Sequence, residues 1–318
     1  MAALQDLVNA LKAAGDLTRL RILLLLRQEE LTVTELTSIL LQSQPGISRH
    51  LKLLGTANLL RRFKEGSWVF YRVSDDELAS ALTALVSGWS TTDRLFADDV
   101  QRLAQVREAR VAKSAAFFKA NAAQWERIRA LHAPDKDVEA AIRRHLTREP
   151  IEYLLDGGAG TGRTLEMLAP HVKRAIGIDA SADMLNIARE RLIRAELTHC
   201  QVRLGDICRL PFADGTQTEG FDAVVIHQVL HYLGDPRAAI VSAARVLRAR
   251  GRLLVADFAS HDLEFLRDEY AHRRLGFSDD EVTGWFKAAG LRLVGTDAVA
   301  PSAATRGKLT VKLWMGVK

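Results

Sequence analysis

A chain of 318 residues, 48% hydrophobic and 26% charged, has the length and composition of about two globular domains. Its longest aliphatic run, Ile22 to Leu26, is too short to span a bilayer, and Met1 to Asp16 lacks the basic-then-apolar layout of a signal peptide. Two cysteines, Cys200 and Cys208, in no metal-ligand spacing argue against a disulfide framework and for a reducing cytoplasm; the net charge of +5 is a mild excess whose placement matters more than its size.

The chain opens with a helical stripe, Leu4, Leu7, Val8 and Leu11, interrupted at Gly15-Asp16. A second, very apolar helix covers Thr18 to Arg27. Thr32-Val33-Thr34-Glu35 has the capping-box form and starts a third helix running to about Leu41. Ser43-Gln44-Pro45 opens a fourth, Gly46 to about Gly55, with proline in the tolerated first turn. Leu59–Phe63 and Trp68–Val73 read as strands of a hairpin around Lys64-Glu65-Gly66-Ser67. The stretch Gln44 to Arg72 holds Arg49, Lys52, Arg61, Arg62, Lys64 and Arg72 against Glu65, a balance suited to a polyanion or to an ordinary solvated face.

Helices followed by a basic hairpin make a winged helix-turn-helix. Its second turn helix would present Gln44, Ser48, Arg49, His50 and Lys52 to base edges, while Arg61, Arg62 and Lys64 of the wing would meet phosphate. The runs Gly15-Asp16-Leu17-Thr18-Arg19-Leu20-Arg21-Ile22, Ile47-Ser48-Arg49-His50-Leu51-Lys52-Leu53-Leu54 and Trp68-Val69-Phe70-Tyr71-Arg72 make residues 1–90 resemble the ArsR family of bacterial repressors. The resemblance implies dimeric binding to a double-stranded DNA operator. Thr32 and Thr34 stand where many metal-sensing members carry cysteines, and hydroxyls are poor ligands for soft metals, so no metal is expected there.

Leu78, Leu82, Leu85, Trp89, Phe96, Leu103 and Val106 fall near a 3-4 spacing, a seam for a partner helix or for the chain's own domains, with breaks expected at Ser87-Gly88 and Ser90-Thr91-Thr92. A homodimer is the expectation. Residues 91–148 read as a helical dimerisation, linker and lid segment, in which Phe117, Phe118, Trp125, Ile128, Leu131, Val138 and Ile142 continue the pattern. Phe117, Phe118 and Trp125 suit either a pocket wall or plain core.

From 149 to 318 apolar runs alternate with amphipathic helices, the signature of an α/β Rossmann-like domain with a parallel sheet. Strands are expected near 151–155, 173–178, 200–204, 221–226 and 252–257, and helices near 163–169, 182–195, 236–249 and 279–289. Two last strands, 291–296 and 309–317, follow. The first strand runs into Asp156-Gly157-Gly158-Ala159-Gly160-Thr161-Gly162. Arg163 occupies the third-glycine position of the dinucleotide fingerprint counted from Gly158, so that motif is not met.

The D-x-G-x-G-x-G pattern resembles motif I of class I S-adenosylmethionine (SAM) methyltransferases, and 110–318 as a whole is similar to the ubiquinone/menaquinone-type group. That resemblance implies a SAM or S-adenosylhomocysteine (SAH) site built from Asp156, Gly158, Gly160 and Gly162, and a final antiparallel hairpin. Asp179, ending the second strand, would take the ribose hydroxyls; Asp206 would take the adenine amino group, Met184 and Ile207 the ring faces, and His227 would border the methyl group. Base candidates are His227, His231, Tyr232, Asp257 and His261, each reading more readily as structural or pocket lining. The His227/His231 spacing lacks the glutamate of a zincin, so no metal is expected.

Three functions fit two such domains on one chain: a SAM/SAH-responsive regulator, an active methyltransferase of a small-molecule acceptor that also controls its own operator, and a nucleic-acid methyltransferase. His227-Gln228-Val229-Leu230 replaces the N-P-P-Y-type sequence of amino-base methylators and no Pro-Cys nucleophile occurs, which argues against the third.

Overall fold

The computed structural model describes residues 4–65, 68–74, 76–90, 93–125, 127–128, 135–301 and 309–318. They form two compact units, Met1–Ala112 and Lys113–Lys318. The segment expected as a separate 91–148 module is divided between them. Gly66, Ser67, Thr91, Thr92 and Leu131 lie outside the described residues, as does the side chain of Trp89.

In the first unit, α1 (Leu4–Ala14) and α2 (Leu17–Gln28) meet at Gly15-Asp16, where the Asp16 carboxylate accepts from the Arg19 amide at 3.0 Å and caps α2. Thr32 and Glu35 form the expected capping box of α3 (Val33–Leu40). Ser43 caps α4 (Gln44–Thr56), with Pro45 in its first turn. Ile22, Leu25, Leu36, Ile39, Ile47 and Leu54 from these helices share one core. A short strand that the sequence did not announce, β1 (Leu31–Thr32), joins the wing strands β2 (Leu60–Glu65) and β3 (Trp68–Val73) in the order β1-β3-β2.

Two expectations need correction here. Gly88 lies inside α5 (Glu77–Ser90), so Ser87-Gly88 is no break. A helical glycine costs about 1 kcal/mol relative to alanine, too little to stop a helix held by packing against α2. The apolar seam is also largely spent within the unit: Leu82, Phe96 and Leu103 are buried in its core, Leu78 and Val106 pack on it, and Leu85 stays exposed. The long α6 (Arg94–Asn121) is pinned to the unit by ion pairs. Arg21 holds buried Asp99 through two bonds of 2.6 Å, and Arg110 bridges Glu29 and Glu35.

The second unit is a seven-stranded sheet in the order β6-β5-β4-β7-β8-β10-β9. Its strands are β4 (Ile151–Gly157), β5 (Val172–Asp179), β6 (Cys200–Leu204), β7 (Phe221–His227), β8 (Leu247–Phe258), β9 (Arg292–Val299) and β10 (Val311–Val317). β4 to β8 pair in parallel, and β10 inserts antiparallel between β8 and β9. The helix expected over 236–249 ends at Val246, because Leu247 already pairs with Phe221 and opens β8. Strand order reverses at β4, so the crevice between the ends of β4 and β7 is the topological switch point where such sheets bind ligands. Among the described residues no helix is long and apolar enough to cross a membrane.

Candidate functional site

The switch point is occupied by the glycine loop. Gly158, Gly160 and Gly162 adopt φ of 80°, 51° and 79°, conformations that side-chain-bearing residues rarely take. The end of β5 holds the loop: the Gly158 and Ala159 amides donate to the Ile178 carbonyl at 2.7 and 3.0 Å, and the Gly160 amide donates to Asp179 Oδ2 at 2.8 Å. Asp179 Oδ1 accepts from the Ser181 amide at 2.8 Å. Burial raises the Asp179 pKa, and those backbone donors oppose the shift. The carboxylate expected to take ribose hydroxyls therefore also organises the loop.

Neighbours approach this loop so closely that a Cβ would fill the gap. On Gly157 it would stand 2.6 Å from Ile207 Cδ1, and on Gly158 it would stand 2.3 Å from Val229 Cγ2. Val229 and Gly157 were missed by sequence reasoning, because only the fold brings the β7 turn onto the loop. Trp125 comes within 3.7 Å of the Cβ position of Gly160. Asp156 is buried, as are Met184 and Ile207. Asp206 is exposed and caps the turn over Ile207–Arg209 by accepting from the Cys208 amide at 2.8 Å. The left-handed glycine loop, the carboxylates at the ends of β5 and β6 and the buried apolar pair fit the donor and acceptor groups of a SAM-type nucleoside.

The two candidate histidines part company. His227 is buried at the end of β7, with Nδ1 3.4 Å from Thr164 Oγ1. His231 lies in a single turn, Leu230–Tyr232, and its Nδ1 is 2.6 Å from Oδ1 of fully buried Asp257. The i, i+4 spacing is thus not a helical pair. Among the described residues no three His, Cys, Asp or Glu side chains converge as a metal site. Burial pushes His261 down to about 4, with the neighbouring His231 and Arg267 adding to the shift. Burial, with Asp257 nearby, pushes Tyr232 well above the usual tyrosine range.

His231 lines a narrow, partly open pocket. Trp125, Gln228, Tyr232, Phe258 and Tyr270 are among its walls. Phe118 packs edge-on against Trp125 and Tyr232 at 5.2 and 4.8 Å, and Phe117 against Tyr270 at 6.3 Å. Of the three aromatic residues singled out, Trp125 lines the pocket, while Phe117 and Phe118 pack against its walls.

In the first unit, Gln44, Ser48, Arg49 and Lys52 are exposed on α4, and Arg61, Arg62 and Lys64 are exposed on β2. Gln44, Ser48 and Lys52 follow at four-residue spacing on one helix face. His50 differs: it is half-buried, with Nδ1 3.7 Å from Asp16 Oδ1.

Comparison with known proteins matches both halves. Residues 16–62 match the family model described as bacterial regulatory protein, arsR family, and residues 155–255 match that of the methyltransferase domain. An uncharacterized 37.1 kDa protein in transposon TN4556 of Streptomyces fradiae is 40% identical over 115 residues, 35% of this chain and 32% of that protein. A demethylmenaquinone methyltransferase of Tropheryma whipplei (strain Twist) is 37% identical over 119 residues, 37% of this chain and 46% of its own length. The chain thus spans about a third to a half of the length of these curated relatives. A SAM-dependent methyltransferase from Thermotoga maritima superposes with a TM-score of 0.51 at 21% identity, over 64% of this chain and 99% of that one. A methyltransferase of Haloferax volcanii, solved with its Trm112 activator, gives 0.53 at 23%, over 64% and 96%. The chain therefore joins a helix-turn-helix of the arsR family of bacterial regulatory proteins to a methyltransferase domain of the class I fold.

Proposed function

We propose that the chain is a dimeric, cytoplasmic, DNA-binding transcriptional regulator whose methyltransferase domain binds SAM or SAH and makes DNA affinity depend on which is bound. The carrying observation is the co-existence of an exposed polar α4 face (Gln44, Ser48, Arg49 and Lys52) with a left-handed glycine loop at the switch point of the sheet on the same chain. Arg49 and Gln44 suit bidentate contacts with bases, and Arg61, Arg62 and Lys64 suit phosphate. The exposed α1 stripe of Leu4, Leu7, Val8 and Leu11 supports a second copy as partner.

In the second unit Asp179 takes the ribose hydroxyls, Asp206 the adenine amino group, and Met184 and Ile207 flank the ring. Gly160 lets the ligand approach the main chain, Gly158 and Gly162 make room for Val229 and Ala188 and so shape the loop, with Asp156 beneath and His227 beside the methyl group. SAM, when bound, supplies an activated methyl on a sulfonium; SAH lacks both the methyl and the positive charge. A ligand shifts the DNA equilibrium only by its differential affinity for two states, so the charge difference is the natural signal.

Fluorescence anisotropy on the gene's own upstream DNA, at one salt concentration, tests this with no ligand, SAM or SAH. A tenfold difference between ligands, about 1.4 kcal/mol of coupling, is expected. Equal affinity in all three states overturns the sensor. Asp179→Ala should weaken SAM binding at least tenfold by calorimetry, and unchanged affinity would remove Asp179 from the site.

A second reading, turnover on a small-molecule acceptor, is favoured by one observation. The His231–Asp257 pair opens on an aromatic pocket whose Trp125 wall also borders the glycine loop.

A further inference from the structure

The turn between α3 and α4 carries an apolar side chain that the core of the first unit does not use. Leu41 caps the C-terminal end of α3 with φ of 55°, a left-handed conformation that glycine takes freely and a leucine side chain makes unfavourable. It is also 73% exposed, so burial does not offset that cost. The main chain is held on both sides of it. The Leu41 and Gln42 amides both donate to the Thr37 carbonyl, and Gln42 Nε2 donates to Thr18 Oγ1 at 3.0 Å. Ser43 then caps α4, accepting from the Gly46 amide at 3.4 Å. Glycine would make the same turn at lower cost. What leucine adds is an isobutyl group that a fixed turn holds out to solvent, and the strain points to a use for that group.

The surroundings specify the partner. Leu41 stands just before α4, at the end of that helix which meets base edges in this class of motif. Its Cα lies within about 11 Å of the Gln44 Cα, the longest reach of three residues. No charged residue occurs from Leu36 to Ser48, so this end of α4 is neutral. The exposed cations Arg49, Lys52, Arg61, Arg62 and Lys64 lie farther along α4 and on β2. Cations meet phosphate, whereas base edges are read by hydrogen bonds and apolar contacts. The major groove presents one apolar group on its base edges, the C5-methyl of thymine. An apolar side chain among neutral polar ones, flanked by cations, fits that group.

We propose that Leu41 reads a thymine methyl group in the major groove, no more than about three base pairs from the base that Gln44 contacts. The proposal rests on the reading that the first unit binds duplex DNA. The hydrogen-bonded turn presents the side chain ready for contact, so little further ordering is needed on binding. Burying one methyl group against leucine is worth about fourfold in affinity per half-site. Glycine would relax the turn but leave the methyl without a partner. Asparagine tolerates the same backbone, yet it would set a polar amide against the methyl.

The test selects an operator from random duplexes with the full-length protein and then replaces each thymidine in it by deoxyuridine, which keeps base pairing and removes only the methyl. Fluorescence anisotropy at one salt concentration should find one thymidine per half-site whose replacement weakens binding about fourfold. Gln44→Ala, which relaxes selection at its own base, marks the position from which the three base pairs are counted. Leu41→Gly should raise the urea midpoint, lower affinity for the thymidine operator at least about fourfold and bring the thymidine-to-deoxyuridine ratio to one. Leu41→Asn should also abolish that ratio, and Leu41→Met should keep part of it. Equal binding of every deoxyuridine operator overturns the proposal, as does a sensitive thymidine outside that span. A ratio that persists in Leu41→Gly overturns it too, because another residue then reads the methyl. Unchanged affinity of Leu41→Gly overturns it and turns the exposed leucine toward a protein partner. Selection of no duplex by the unaltered protein overturns the DNA-binding reading itself.

Discussion

Gly158 concentrates more structural demand than any other single position of the cradle. It has φ of 80°, and a Cβ there would meet Val229 Cγ2 at 2.3 Å. Gly158→Ala is expected to destabilise the fold by about 1–3 kcal/mol in urea unfolding and to abolish SAM binding. Val229→Ala in the same chain removes the close contact but not the left-handed backbone, so it should recover part of the stability. His261 makes a pH prediction. Burial holds its folded pKa at about 4 against an ordinary 6.5. Between those values the unfolded chain binds more protons, so stability is full above about pH 6.5 and falls as pH falls towards 4. Thermal melts from pH 7 to 4.5 should show the decline, and His261→Gln should flatten it.

Among the elements, α6 is the one whose role local periodicity misrepresents. Its apolar residues suit either another chain or the chain's own domains, and Phe96 and Leu103 are buried in the core of the first unit. Its charged residues are decisive too: Asp99 is fully buried against Arg21 and also accepts from Arg102 at 2.7 Å. Removing one partner of a buried ion pair strands the other, so Asp99→Ala should cost about 3–5 kcal/mol. The measurement is the urea midpoint of the first unit's transition. The capping box at Thr32 was, by contrast, legible from residue spacing, because a cap is a contact between residues three apart.

For the whole molecule, the expected behaviour is salt-dependent DNA binding gated by a small ligand. Arg49→Ala should weaken operator binding by about 1–3 kcal/mol and relax specificity at its base pair. Lys64→Ala should weaken binding evenly across sequences and lower the salt slope by about one. Operator titrations at three salt concentrations separate the two. If Arg49→Ala behaves like Lys64→Ala, α4 meets the backbone rather than the bases.

The order of elements, the glycine loop, Asp179, the helix caps and the wing were determined by the sequence, because each rests on neighbours a few residues apart or on a strand-to-loop pattern. Only the tertiary structure decided the rest. Val229 reaches Gly158 through the return of β7 beside β4, and β1 exists through its pairing with β3. Asp257 singles out His231 through the alignment of β8 with β7. Gln228 looks like an ordinary polar residue until its burial is seen, with no hydrogen-bond partner for its carboxamide among the described residues. Such contacts join residues distant in sequence, and no local spacing encodes them.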